Sequence, residues 1–191
     1  MLDLALICHN HTFQSKIKPT TRFPETLQNR AFRGKTRRNK TMIKILFICH
    51  GNICRSTMSQ FVFQDMVNRH DLQNDFYINS AATSREEIGN GPHYGTIRKL
   101  QRESIPVLEH RAVQMTRKDY DNYDYLIGMD SANIRNIKRI AGGDPEGKVH
   151  KLLEFAGSDR DIADPWYTGN FDETYRDVVE GCEALFKKLQ R

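Results

Sequence analysis

The run Lys44-Ile45-Leu46-Phe47-Ile48 passes directly into Cys49-His50-Gly51-Asn52-Ile53-Cys54-Arg55-Ser56, and a helical pattern follows at once. Few architectures accommodate that order. The short apolar run reads as a buried strand, Ile43 to Ile48. From Ser56 to Arg69, residues Met58, Phe61, Val62, Met66 and Val67 recur at the spacing of one helix face. A buried strand that turns through Gly and Asn into a helix is a unit of a parallel α/β sheet, and such sheets bind ligands beyond the carboxyl ends of their strands.

The rest of the chain repeats the alternation. Phe76 to Ala82 reads as a second strand, and Tyr94 to Arg102 as a helix ending before Pro106. Tyr123 to Met129 reads as a third strand. Ser131 to Ile140 reads as a helix capped by its serine and stopped at Gly142-Gly143. Val149 to Leu153 suggests a short fourth strand, and Asp172 to Lys188 a final helix. Strands alternating with helices imply a parallel sheet covered on both faces.

The net charge of +5 is unevenly spread. Residues 1–41 hold nine Lys/Arg against two Asp/Glu, which leaves 20 basic and 22 acidic residues in 42–191. The first segment contains Pro19, Pro24, Gly34 and the basic cluster Arg33 to Lys40, without sustained periodicity, and is expected to be disordered or outside the fold. A basic tail, an organelle-targeting leader and a mis-assigned translation start compete for it, the last because Met42 stands directly before the first strand. The domain proper is 42–191. Its charge balance shows no basic stripe, so nucleic acid is not an expected partner. No apolar stretch approaches the roughly 20 residues that cross a bilayer. Cys8, Cys49, Cys54 and Cys182 lack zinc-ligand spacing and are too few for a disulfide scaffold, which favours a reducing, cytoplasmic setting.

The loop itself suggests chemistry. Backbone N–H groups leading into a helix N-terminus converge on an anion, and the same field stabilises a thiolate on Cys49. Arg55 offers a planar fork of donors for two phosphoryl oxygens. Gly51 suits a tight turn and a close approach, while Asn52 and Ser56 are short polar groups able to brace the loop. A thiolate attacking a phosphate ester needs an acid for the departing oxygen. Asp164 in Asp164-Pro165-Trp166-Tyr167 is the candidate, extended by the following proline and partly desolvated by two aromatic pocket walls, Trp166 and Tyr167.

Together these segments resemble the low-molecular-weight protein tyrosine phosphatases. Their loop reads C-x-G-N-I-C-R-S, here Cys49 to Ser56, and their late D-P-[WY]-Y is here Asp164 to Tyr167. Asn79 to Ser84 and Tyr125 to Asp130 also look like family segments, so the resemblance spans 42–191. It implies a four-stranded parallel sheet flanked by helices, with the phosphate-binding loop between strand 1 and helix 1. It implies a two-step reaction without metal or cofactor: Cys49 takes the phosphoryl group of a phosphotyrosine, Asp164 acts as acid and then base, and Arg55 with the loop amides of His50, Gly51, Asn52, Ile53 and Cys54 holds the oxygens. Asn52, Ser56 and His93 fall where the family places bracing polar residues. Cys54 matches the second loop cysteine, which traps oxidised Cys49 as a disulfide. Implied partners are phosphotyrosine proteins, including a tyrosine kinase, for a monomer or weak dimer.

Three features depart from the pattern. Thr57 follows Ser56 where many relatives have proline, Glu86 stands where eukaryotic relatives carry an aromatic wall, and the leader has no counterpart. Rival readings are a protein arginine phosphatase, in which the position of Ile53 is threonine, and a thiol-dependent arsenate reductase, for which relay cysteines between Cys54 and Cys182 are lacking. A non-catalytic phosphoprotein-binding module requires loss of Cys49, Arg55 or Asp164, and all three are present.

Overall fold

The computed structural model describes residues 41–190. The basic segment, apart from Thr41, and the final Arg191 lie outside the described residues, and the expectations about the leader lie there with them.

The first strand, β1, runs Ile43–Cys49 and is the axis of the fold. Its residues alternate between two apolar layers, as the period of two requires. Ile45, Phe47 and Cys49 join one cluster with Met58, Phe61, Phe63, Val178 and Leu185. Leu46 and Ile48 join the other with Tyr120, Leu126 and Ile137. Each fully buried Ile or Phe contributes about 2 kcal/mol of transfer free energy, so both faces of β1 are held from outside.

The covering elements follow in order. They are α1 (Arg55–Arg69), β2 (Phe76–Ala82), α2 (Tyr94–Arg102), α3 (Arg117–Asn122), β3 (Tyr125–Gly128), α4 (Ser131–Ala141), β4 (Val149–Lys151), a 3₁₀ turn over Leu152–Ala156, α5 (Pro165–Thr168) and α6 (Phe171–Leu189). All four strands are parallel in the order β2-β1-β3-β4. The chain leaves β1 for β2 on one side and reaches β3 on the other, so a crevice opens at the carboxyl end of β1. Cys49 pairs with Ala82 there, and Ile48 with Gly128.

The α/β class, the four parallel strands and the loop between β1 and α1 agree with the sequence reading. Some boundaries differ for local reasons. The third strand starts at Tyr125 rather than Tyr123, because Tyr123 closes α3 and donates its amide to Asp119 O. Helix α3 has only six residues and no readable apolar face, yet a Thr116–Asp119 capping box starts it. The fourth strand stops at Lys151, since Leu152 and Leu153 turn into the 3₁₀ segment. The cap of α4 is Asp130, whose side chain accepts from Asn133 N at 2.6 Å; Ser131 is the first helical residue. Gly142 does end α4, in the left-handed conformation at φ 81°.

Candidate active site

Helix α1 begins without any side-chain cap. Its first amides are therefore not claimed by a neighbouring oxygen. The amides of Gly51, Ile53 and Cys54 likewise donate to no protein acceptor among the described residues. Donors gathered at a helix N-terminus with no partner of their own form an anion cradle.

Cys49 Sγ lies at its floor, buried, in contact with two donors. Asn52 N approaches it at 3.3 Å and Ser56 Oγ at 3.1 Å. Ser56 Oγ already accepts from Asn52 Nδ2 at 3.0 Å, so its own proton is free to point at sulfur.

Asn52 is the hub of the loop. It is fully buried and left-handed, with φ 58°, a conformation asparagine tolerates better than most residues. Nδ2 donates to Ser56 Oγ and to Ser80 Oγ at 2.8 Å, and Oδ1 accepts from Val113 N at 3.2 Å. Its carbonyl accepts from Thr57 Oγ1 at 2.9 Å and from His110 Nε2 at 2.8 Å. Thr57, a departure from the family pattern, thus becomes a loop brace. Burial pushes the His110 pKa down, only partly offset by its bond to Asn52, so the ring stays neutral and donates.

The positive φ belongs to Asn52, not to Gly51. Gly51 lies close to another side chain instead: a Cβ there would sit 3.1 Å from Glu87 Cγ, a tight contact.

Arg55 is 3% exposed and reaches two carboxylates. Nη1 donates to Asp130 Oδ2 and Nη2 to Asp164 Oδ2, each at 2.5 Å, and Nη1 also donates to Ile162 O at 3.1 Å. Its Nε is buried and has no partner among the described residues. Burial disfavours the charge, but the Cys49 sulfur and the two carboxylates outweigh it and hold the pKa above its ordinary value. Asp164 caps α5, accepting from Trp166 N at 3.1 Å with Pro165 next in line. Cys54 is buried beside them; desolvation, then the charges of Cys49 and Asp164, push its thiol up to about 12.

The pocket above sulfur is lined by Cys49, His50, Gly51, Ile53, Cys54, Glu86, Glu87, Asp164, Trp166 and Tyr167. Trp166 and Tyr167 are largely exposed. Glu86 lines the same pocket and accepts from His50 Nε2 at 2.9 Å. The His93 imidazole makes no hydrogen bond to Asn52 or Ser56. It caps α2 by accepting from Gly95 N at 3.1 Å and stacks on Phe171 at 5.2 Å, while its backbone N–H donates to Ile53 O at 2.8 Å. The histidine bonded to Asn52 is His110.

The structure therefore gathers Cys49, Arg55 and Asp164, and adds Asp130, Ser80, Thr57 and His110, which sequence reasoning did not single out for these contacts. A buried thiol below an anion cradle, with a guanidinium and a carboxyl beside it, is the constellation of an enzyme that passes a phosphoryl group through sulfur.

Residues 44–191 match the family described as low molecular weight phosphotyrosine protein phosphatase. The chain is 39% identical over 152 residues to the low molecular weight protein-tyrosine-phosphatase YfkJ of Bacillus subtilis, covering 78% of this chain and 97% of that protein. The YfkJ crystal structure superposes with a TM-score of 0.77 at 38% identity, over 80% of this chain and 97% of that one. SP-PTP, a low molecular weight protein tyrosine phosphatase from Streptococcus pyogenes, gives 0.69 at 37% identity, over 78% and 93%. A drosophila arginine phosphatase gives 0.72 at 25% identity, over 78% and 99%. The chain belongs to the low-molecular-weight protein tyrosine phosphatases.

Proposed function

We propose that this enzyme hydrolyses phosphotyrosine in proteins, with Cys49 as nucleophile, Arg55 and the loop amides as the phosphoryl clamp, and Asp164 as acid and base. The observation that carries the residue assignment is that Cys49 and Asp164, 115 positions apart, line one pocket, with the Arg55 guanidinium bonded to Asp164. The sulfur of Cys49 attacks phosphorus and the P–O(aryl) bond breaks. Asp164 gives its proton to the departing tyrosine oxygen. Water then attacks the phosphocysteine, Asp164 takes its proton, and sulfur leaves with the Ser56 hydroxyl donating to it. Charge on the transferring group is met throughout by Arg55 and by amides that need no rearrangement. The incoming oxygens compete with Asp164 for Arg55 Nη2, which releases the carboxyl for proton transfer.

Trp166 and Tyr167 offer an aromatic wall suited to an aryl ester, and Ile53, 7% exposed, keeps the floor apolar. Likeness to an arginine phosphatase keeps phosphoarginine as the second substrate to test. Cys182 is fully buried and bonds to Ser59 O, which leaves it poorly placed as a relay thiol for arsenate. A cytoplasmic location, and action as a monomer or weak dimer on phosphotyrosine proteins such as a tyrosine kinase, belong to the same reading. The location is supported by three unpaired cysteines among the described residues. No helix among the described residues is long and apolar enough to cross a membrane.

The test compares wild type, Cys49→Ser and Asp164→Ala on a phosphotyrosine peptide, an activated aryl phosphate, and phosphoarginine and phosphoserine peptides. Cys49→Ser abolishes turnover. Asp164→Ala slows the phosphotyrosine peptide more than the activated ester, whose leaving group barely needs a proton. Equal slowing of both removes Asp164 as the acid, and faster hydrolysis of phosphoarginine overturns the substrate assignment.

A further inference from the structure

We propose that Glu86 and Glu87 form an acidic selector at the pocket mouth, favouring phosphotyrosine residues flanked by lysine or arginine. The inference deepens the reading of the Cys49 pocket given above and rests on it.

Both carboxylates line the same pocket as the Cys49 sulfur. Each is held in place. Glu86 Oε2 is bound by His50 Nε2 at 2.9 Å, tying it to the residue that follows the nucleophile. Glu87 Oε2 accepts from Asn90 Nδ2 at 2.7 Å, and its stem lies over Gly51, with its Cγ 3.1 Å from where a Cβ would stand. Among the described residues neither carboxylate has a lysine or arginine partner. An amide and an imidazole hold these groups instead.

Charge at the mouth is consequently lopsided. Arg55 is buried and already paired to Asp130 and Asp164. Two further lining residues, Trp166 and Tyr167, carry no charge at neutral pH. A phosphoryl group is captured by short-range donors in the cradle, but the residues on either side of the phosphotyrosine remain at the rim, within one Debye length of two carboxylates. Cationic neighbours are attracted there, and acidic neighbours are repelled. An aromatic residue at position 86 would grip the ring of any phosphotyrosine. A fixed carboxylate pair reads the sequence around it instead.

The experiment uses two phosphotyrosine peptides of equal length, one with lysines and one with glutamates on both sides, at about 20 mM and about 500 mM NaCl. Wild type is expected to favour the lysine peptide about tenfold in kcat/KM at low salt, since each near contact in water is worth roughly a factor of three to five. The preference shrinks at high salt, which shortens the screening length to about 4 Å. Glu86→Gln/Glu87→Gln brings the ratio close to one, and Glu86→Lys/Glu87→Lys inverts it. Because the readout is a ratio between substrates, a general loss of activity does not mimic the effect. Glu86 is solvent-facing, and a melting curve of each variant verifies folding. A wild-type ratio near one, or a ratio that survives in the double glutamine variant, overturns the selector. Residual turnover in Cys49→Ser overturns the reading of the pocket itself and is seen with both peptides alike.

Discussion

Replacing Asn52 separates the two jobs this residue performs. Its side chain makes three hydrogen bonds inside the protein, to Ser56, Ser80 and Val113. At about 1 kcal/mol each these are worth about 3 kcal/mol, and leaving the Val113 amide without its acceptor adds about 1 more. Alanine at 52 must also hold φ near +58°, a cost of about 1 kcal/mol that glycine avoids. Asn52→Ala is therefore expected to lose about 5 kcal/mol, and Asn52→Gly about 4. Domains of this kind have about 5–15 kcal/mol to lose, so each variant gives up a large share of that margin, with a melting temperature lower by roughly 10 °C or more. Urea unfolding monitored by far-UV circular dichroism and by Trp166 fluorescence gives both values. Both variants also lose the amide that leaves the Ser56 proton free for Cys49, so kcat on an aryl phosphate falls together in the two. A loss below about 1 kcal/mol, or a Ser80→Ala change that adds independently to Asn52→Gly, refutes the role of Asn52 as the hub.

Other consequences are independent of that one. The His110 pKa is lowered by burial, so below about pH 6.5 the unfolded chain binds this proton first and stability falls, whereas above that pH the group contributes no slope. His110→Gln should flatten the pH dependence of the melting temperature between about pH 5 and 7; an unchanged slope removes the histidine from the account. Asp130→Asn leaves Arg55 with one carboxylate instead of two, and kcat/KM for an aryl phosphate should drop by about 10- to 100-fold through misplacement of the guanidinium, with weaker competitive inhibition by inorganic phosphate. Cys54→Ser should recover less activity than wild type when peroxide treatment is followed by dithiothreitol, because Cys49 then proceeds to sulfinic acid without a neighbouring thiol to trap it; equal recovery argues against the pair.

The parts of this protein legible in its sequence are those with local causes. β1, α1, β2, α2 and α6 announce themselves by periodicity, and the loop by the residue types that an anion cradle and a thiolate require. The structure supplies what depends on distant partners. Ser80 meets Asn52 across 28 positions, His110 across 58, and Asp130 meets Arg55 across 75; no spacing in the chain marks those pairs. His93, expected to support the loop, bonds to it through its backbone N–H, while the ring caps α2 and stacks on Phe171. Short polar elements hid for a different reason. α3 and α5 span six and four residues, too few for a face to repeat, and only their Thr116 and Asp164 caps carry a readable signal. Gly51 suits a tight turn and a close approach; the left-handed turn falls on Asn52, while the close approach is to Glu87.

The central claim is that the phosphoryl group rests on Cys49 between two steps that share Asp164. Its most direct test is an acid quench of Asp164→Ala during steady turnover of an activated aryl phosphate, followed by peptide mass spectrometry. Loss of the base slows hydrolysis of the intermediate, so phosphate is expected on the peptide containing Cys49, in an amount approaching one per enzyme. Phosphate recovered on any other residue, or none on Cys49 while turnover continues, contradicts the mechanism.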